Sequence, residues 1–310
     1  MMVQDHKPNL KPARYFVCLF DALGTRERLF AGIDVNNPCV DPEKLAEISR
    51  HALATHEFLA GISAEIELVK QAPLEHMDRL CHGIPLPDKL REDYREDVLS
   101  LSCGFQQFSD TTLFYVRDSR DDGRIGLFPS ILFQHLLLSL SLSLIRVMAQ
   151  GCFFRGSLVY GTGWELDENV LFGPVVQEAY RIEEQEARWP RILISAEMKA
   201  QLQHMARGVS SNACPAKMIC LDPDGKLSLD YWSVGAVENY LQVISAKELL
   251  RLAEAGYNHA VKQQQHFSKA MRADDSAGRL FLRYGALLSY LDDRMIARGL
   301  FKPVRNEVDK

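Results

Sequence analysis

Two aspartates stand where phosphoryl chemistry is within reach. Asp21 follows directly on the apolar run RYFVCLF (Arg14 to Phe20), and Asp110 sits between two β-rich runs, Leu101 to Phe108 and Thr111 to Val116. Carboxylates at the ends of adjacent strands can hold a pair of divalent cations. Two cations about 3.5–4 Å apart suit in-line phosphoryl transfer, because they stabilise the attacking and the leaving oxygens together. The turn Asp21-Ala22-Leu23-Gly24-Thr25 adds backbone N–H groups at a helix start, which favour phosphate. The plainer reading of either aspartate is a cap or turn former. Gln177 and Arg181, four apart in GPVVQEAYRIEEQEA, project from one helical face. Val175, Val176, Ala179 and Ile182 supply the apolar stripe, and Arg181 stands at its edge. There it either carries a positive charge over a reacting phosphate or pairs on the surface with Glu178, Glu184 or Glu186.

These residues need a framework. RYFVCLF reads as a strand buried on both faces. A helical pattern spans Pro42 to about Val69 with a break near Gly61. Residues 73–98, charged and carrying Pro73, Pro85 and Pro87, read as an irregular surface segment. Ser109-Asp110 marks a hairpin between its flanking runs. The most apolar stretch, Leu127 to Met148, has the length of a membrane span, for which about 20 residues suffice. Its Gln134, His135, serines and Arg146 favour instead a helix through the inside of a domain. Strands are expected over Phe153 to Tyr160, Asn169 to Phe172, Arg191 to Ser195, Lys217 to Leu221 and Leu227 to Trp232. Helices are expected from Gly173-Pro174 to about Ala187, from Ala196 to Met205, and throughout 245–298. Helices and strands alternate without a strict βαβ rhythm and without a repeat. This indicates an α+β sheet with helices on one face, and a helical tail packed on the core or on a second protomer.

Composition narrows the function. Of 310 residues, 47% are hydrophobic and 25% charged, which excludes a disordered chain, and 19 Gly with 13 Pro exclude a collagen-like one. The net charge of -5 disfavours nucleic acid as a partner. Seven cysteines, an odd number without a CxxC pair, speak against a disulfide framework and a cysteine zinc site, and point to a reducing cytoplasm. Cys18 and Cys152 lie in apolar runs, as small buried hydrophobes do. The polar segment Met1 to Pro12 has no signal-peptide core. No GxxxxGK[ST] occurs, and His51, His56, His76 and His82 lack HxxxH spacing. Trp164, Trp189 and Trp232 read as packing residues, while Tyr160 and Phe108 either stack on a base or pack in the core. Glu183, Glu184 and Glu186 read as a solvated helix face.

Taken together, FVCLFDALG, FSDTTLF, RGSLVYGTG and FGPVVQEAYRIEEQEARWPRILIS resemble, in order and spacing, the catalytic domain of class III nucleotide cyclases over roughly residues 14–232. The resemblance implies a ferredoxin-like core over 14–244, with an insertion at about 30–99, a tail at 1–13 and a helical C-terminal extension over 245–310. It implies a homodimer with active sites at the interface. Asp21 and Asp110 match the metal-binding aspartates, for two cations, Mn2+ or Mg2+. Arg181 matches the arginine that stabilises the pentacovalent phosphorus, and Arg155 one that contacts the polyphosphate. Phe20, Ala22, Leu23 and Gly24 flank the first aspartate on the substrate side. Gln177 replaces the usual Asn and would orient the ribose.

The two base-reading positions fall on Gln106 and Val170, not on the Lys with Asp, or Glu with a small polar residue, of purine cyclases. Val170 cannot hydrogen-bond a base. With the helical tail, these departures resemble the bacterial pyrimidine cyclases of Pycsar antiphage systems. The implied activity is conversion of UTP to cyclic UMP and pyrophosphate, in the cytoplasm, without a membrane or nucleic-acid partner. The product would activate a separate effector, either a membrane-spanning protein or a TIR-domain NADase. A cytidylate cyclase and a non-catalytic nucleotide sensor stay open.

Overall fold

The computed structural model describes residues 12–23, 41–71, 87–89, 91–92, 103–108, 111–118, 127–166, 170–205, 218–270 and 275–296. Its elements are β1 (Ala13–Ala22), α1 (Pro42–Gln71), β2 (Cys103–Phe108), β3 (Thr111–Asp118), α2 (Leu127–Met148), β4 (Phe154–Leu166), β5 (Val170–Phe172), α3 (Pro174–Gln185), β6 (Ile192–Ile194), α4 (Ala196–Met205), β7 (Ile219–Leu221), β8 (Leu227–Leu229), α5 (Val234–Val243), α6 (Ala246–Ala270) and α7 (Asp275–Ile296). The strands form one mixed sheet in the order β2-β3-β1-β4-β6-β8-β7, with β5 paired to the far end of β4. Each neighbouring pair among β2, β3, β1 and β4 is antiparallel, and β4 runs parallel to β6. The fold is therefore α+β, with a helical C-terminal region.

β1 lies inside this sheet, which is why its sequence is apolar at nearly every position. Alternation sends Phe16, Cys18 and Phe20 to one face and Tyr15, Val17 and Leu19 to the other. Phe114 and Leu158 follow the first set, Leu113 and Val159 the second. The first face carries the larger core. α2 crosses it with Phe133, Leu137, Leu144 and Ile145 buried, and the Phe133 ring stacks on Phe16 at 4.5 Å. No helix among the described residues is long and apolar enough to cross a membrane.

The second face is covered as well, by α3, whose Val175, Ala179 and Ile182 pack on the odd-numbered residues of β1. This corrects the expectation of helices on one face only. α3 is a single short amphipathic helix, and nothing in its local pattern says which side of the sheet it covers. α1 also departs from expectation, running unbroken through Gly61. Burial of Ala54, Phe58 and Ile62 offsets the roughly 1 kcal/mol that a mid-helix glycine costs. β4 continues past Tyr160 to Leu166 and there pairs with β5. The unanticipated α5 starts at Ser233, whose side chain accepts from the Ala236 N–H at 3.2 Å. α6 and α7 pack on each other and into the larger core: Tyr284 meets Phe153 edge-to-face at 5.3 Å, and the Tyr290 hydroxyl donates to Asp230 at 3.0 Å.

Candidate functional site

Asp21 continues the odd-numbered series of β1 and so belongs to the α3 side. The register sets Thr111 of β3 beside it on one flank and Arg155 of β4 on the other. Thr111 Oγ1 donates to Asp21 Oδ1 at 2.8 Å. Arg155 Nε and Nη2 donate to Asp21 Oδ2 at the longer distances of 3.4 and 3.3 Å. β4 comes this close because residue 156 is glycine. A Cβ there would lie 2.1 Å from the Leu19 carbonyl oxygen.

α3 contributes the third charged member. Glu183 falls four residues after Ala179, inside the apolar stripe, and is only 5% exposed. Its Oε1 lies 2.7 Å from Arg155 Nε, close enough for an ion pair but off the line of a hydrogen bond, so that this buried oxygen lacks a hydrogen-bond donor. Burial pushes the Glu183 carboxyl up to about 7, with Asp21 and Glu184 adding to the rise and Arg155 opposing it. The Tyr180 phenol, half-buried on the same helix, is raised by burial and then by the charges of Glu183 and Asp21. Ser157, next along this face of β4, donates to the Ala179 carbonyl at 2.8 Å and ties α3 to the sheet. The expectation that Glu183 belongs to a solvated face with Glu184 and Glu186 is thus overturned. Its spacing from Val175 and Ala179 would have revealed it, had not acidic neighbours made the segment look like surface.

The other expected residues are dispersed. Asp110 and Gly24 lie outside the described residues; Thr111, the chain neighbour of Asp110, is the residue paired with Asp21. Phe20, Ala22 and Leu23 are all buried, and the Leu23 N–H already donates to the Phe153 carbonyl at 2.7 Å. Their side chains support the site from the core and do not line it. Gln106, with its amide oriented to satisfy both groups, donates to the Leu171 carbonyl and accepts from the Leu171 N–H, each at 3.1 Å. It clamps β5 to β2. Val170 is exposed. Gln177 and Arg181 share the exposed face of α3. Arg181 Nη2 donates to Glu178 at 2.7 Å and Nη1 to Glu186 at 2.6 Å, while Lys226 pairs with the other oxygen of Glu186. Tyr160 is a core residue whose hydroxyl donates to Asp118 at 2.8 Å, whereas Phe108 is exposed.

A cavity of about 450 Å³ lies elsewhere, between α1, α2 and α6. Its charged lining is largely self-paired, Arg251 with Glu248 and Glu57 with Gln150, and it holds none of the residues above. Among the described residues no group of three or more His, Cys, Asp and Glu is placed to hold a metal ion. Asp21 nonetheless presents its carboxylate to a cation, since a guanidinium lies against it. No family model, curated protein or solved structure matches the chain.

Proposed function

We propose that the protein is a nucleotide cyclase that converts UTP to 3′,5′-cyclic UMP and pyrophosphate, a messenger for a separate antiphage effector. The observation that carries this reading is the position of Asp21 at the end of β1, bonded by Thr111 from one neighbouring strand and by Arg155 from the other. Strands β1 to β4, with α1 after β1 and α2 after β3, follow the βαββαβ sequence and 4-1-3-2 order of a ferredoxin-like core, in support of the family resemblance.

The donor chemistry at Asp21, a hard carboxylate, fits a divalent cation, and Asp110 is the second ligand that the resemblance implies. Such cations would acidify the ribose 3′-hydroxyl and offset charge on the departing pyrophosphate. The chain's own contribution is position and electrostatics. Arg155 meets the polyphosphate. Arg181, on the solvent side of α3 and turned to Glu178 and Glu186 in its own chain, serves the site of a second protomer, where it meets charge developing at the α-phosphate. Gln177 on the same face orients the ribose. Exposed Phe108, Val170 and Phe172 supply apolar contact for that protomer. Val170 and the backbone-clamped Gln106 offer no purine-reading pair, which favours a pyrimidine.

Incubating the protein with each of the four ribonucleoside triphosphates and Mn2+, then weighing the products by mass spectrometry, tests the reading. Cyclic UMP as the main product is expected; the absence of any cyclic nucleotide would overturn it.

A further inference from the structure

Arg155 is shared between two carboxylates and fully satisfies neither. Its bonds to Asp21 Oδ2 are long, 3.3 and 3.4 Å, and its 2.7 Å approach to Glu183 Oε1 is misaligned. Good charge-assisted N–H···O bonds are about 2.7–2.9 Å and straight. The three groups are largely sheltered, with side-chain exposures of 17% for Arg155, 18% for Asp21 and 6% for Glu183. A guanidinium in such a place costs desolvation unless its partners hold it. An arrangement that gives Arg155 wholly to Glu183 would align the buried bond that is now imperfect. It would also withdraw the guanidinium from the Asp21 oxygen that a hard cation needs.

We propose that Arg155 is the resident counter-ion of Asp21, displaced onto Glu183 when a divalent cation binds. Glu183 is then a positioning residue: it retains the guanidinium and turns it toward the triphosphate. The inference rests on the nucleotide-cyclase reading for the cation and the triphosphate, and it adds an order of events. Cation loading releases the arginine that nucleotide binding then uses. Because cation and guanidinium compete for one oxygen, the site without its cation is partly self-neutralised.

The test is Mn2+ binding to nucleotide-free protein at pH 8, followed by electron paramagnetic resonance of the free ion. It compares the wild type with Asp21→Asn, Arg155→Gln, Glu183→Gln and the double variant Arg155→Gln/Glu183→Gln. Arg155→Gln should tighten Mn2+ binding and Glu183→Gln should weaken it, each by about tenfold, the worth of one charge-assisted hydrogen bond. In the Arg155→Gln background, removing Glu183 should change the affinity less than twofold, because Glu183 acts through Arg155. Equal tenfold weakening in both backgrounds would make Glu183 a direct electrostatic contributor and overturn the proposal, as would wild-type affinity in both single variants. Arg155→Met, which removes the charge and keeps an apolar stem of similar length, replaces Arg155→Gln if the latter does not fold, with tightening again expected. If the wild type binds no Mn2+, or Asp21→Asn binds it as well as the wild type, the metal reading itself falls. If binding depends on Asp21 but the cycle is additive, only the present inference falls.

Discussion

Two arginines of the β4–β6 region are each clamped between carboxylates, yet they are held very differently. Arg191, just before β6, is 2% exposed. Its Nη1 donates to Asp222 at 2.8 Å, its Nη2 to Asp224 at 2.6 Å and to the Glu186 carbonyl at 3.0 Å. Short and aligned, these bonds staple the end of α3 to the β7–β8 turn. Arg155, at the start of β4, has long bonds to one carboxylate and a misaligned contact with the other. Where both terminal nitrogens of the guanidinium have short, aligned acceptors, as at Arg191, a buried ion pair fixes geometry even though Nε is left without a partner. Where the partners are split and imperfect, a ligand can take the place of one of them at little cost.

The contrast should show most strongly at Arg191. Arg191→Met leaves Asp222, itself 4% exposed, with a buried charge and no guanidinium. Removal of one member of a buried pair costs about 3–5 kcal/mol. Urea unfolding should show that loss, and a midpoint close to wild type would mean that the cluster is not a staple. Asp21→Asn reverses the pattern. It removes a group expected to stabilise charge in the transition state, so cyclic-nucleotide formation should fall about 100- to 1,000-fold. Its unfolding midpoint should hardly move, because Arg155 keeps Glu183. Comparable activity in Asp21→Asn would show that the cluster is structural after all.

Gly156→Ala tests the spacing that brings Arg155 to Asp21. Its Cβ would meet the Leu19 carbonyl oxygen, a backbone atom that cannot swing aside. The strands must part, at a cost of about 1–3 kcal/mol for an overpacked core. Activity should fall more than stability alone explains at a temperature where the variant is folded. Full activity in a folded variant would mean that the approach of β4 to β1 does not set the site.

What could be read from the residues follows the same division. β1 was legible because a strand covered on both faces is apolar at nearly every position, and Asp21 is the first charge after that run. The β2–β3 hairpin, α3 and most strand positions were likewise marked by period and punctuation. The α3 side of the sheet was not, since covering a face is a tertiary choice that a helix's own stripe does not encode. Glu183 was missed because an acidic triplet looks like surface, although its four-residue step from Ala179 puts it in the buried stripe. Gln106 was given to the base, but its amide binds the Leu171 backbone, a partner distant in sequence. Arg191 escaped notice for the same reason: its aspartates come from the β7–β8 turn, some 30 residues on, at positions 222 and 224.

The smallest expected effect is the pH dependence of the two clusters, and it differs between them in sign. The Glu183 carboxyl stands at about 7 in the folded chain against an ordinary 4.5, with Arg155, Asp21, Glu184 and Arg283 facing it. Between these values the folded protein holds a proton that the unfolded chain has lost. The contribution of Glu183 is therefore most favourable below pH 4.5 and is lost as pH rises through 7. Asp224 behaves oppositely: its bond to Arg191 lowers its carboxyl below the ordinary 3.8, so its contribution is present above that value and is lost as pH falls through the folded one. Glu183→Gln should match the wild type near pH 5 and exceed it at pH 8 by roughly 1–3 kcal/mol, since each tenfold change in proton affinity is worth about 1.4 kcal/mol. Urea unfolding of both proteins at closely spaced pH values from about 5 to 8 measures the difference. Parallel curves would mean that Glu183 is ionised throughout and firmly held by Arg155, which would make the Arg155 cluster a second staple and erase the contrast with Arg191.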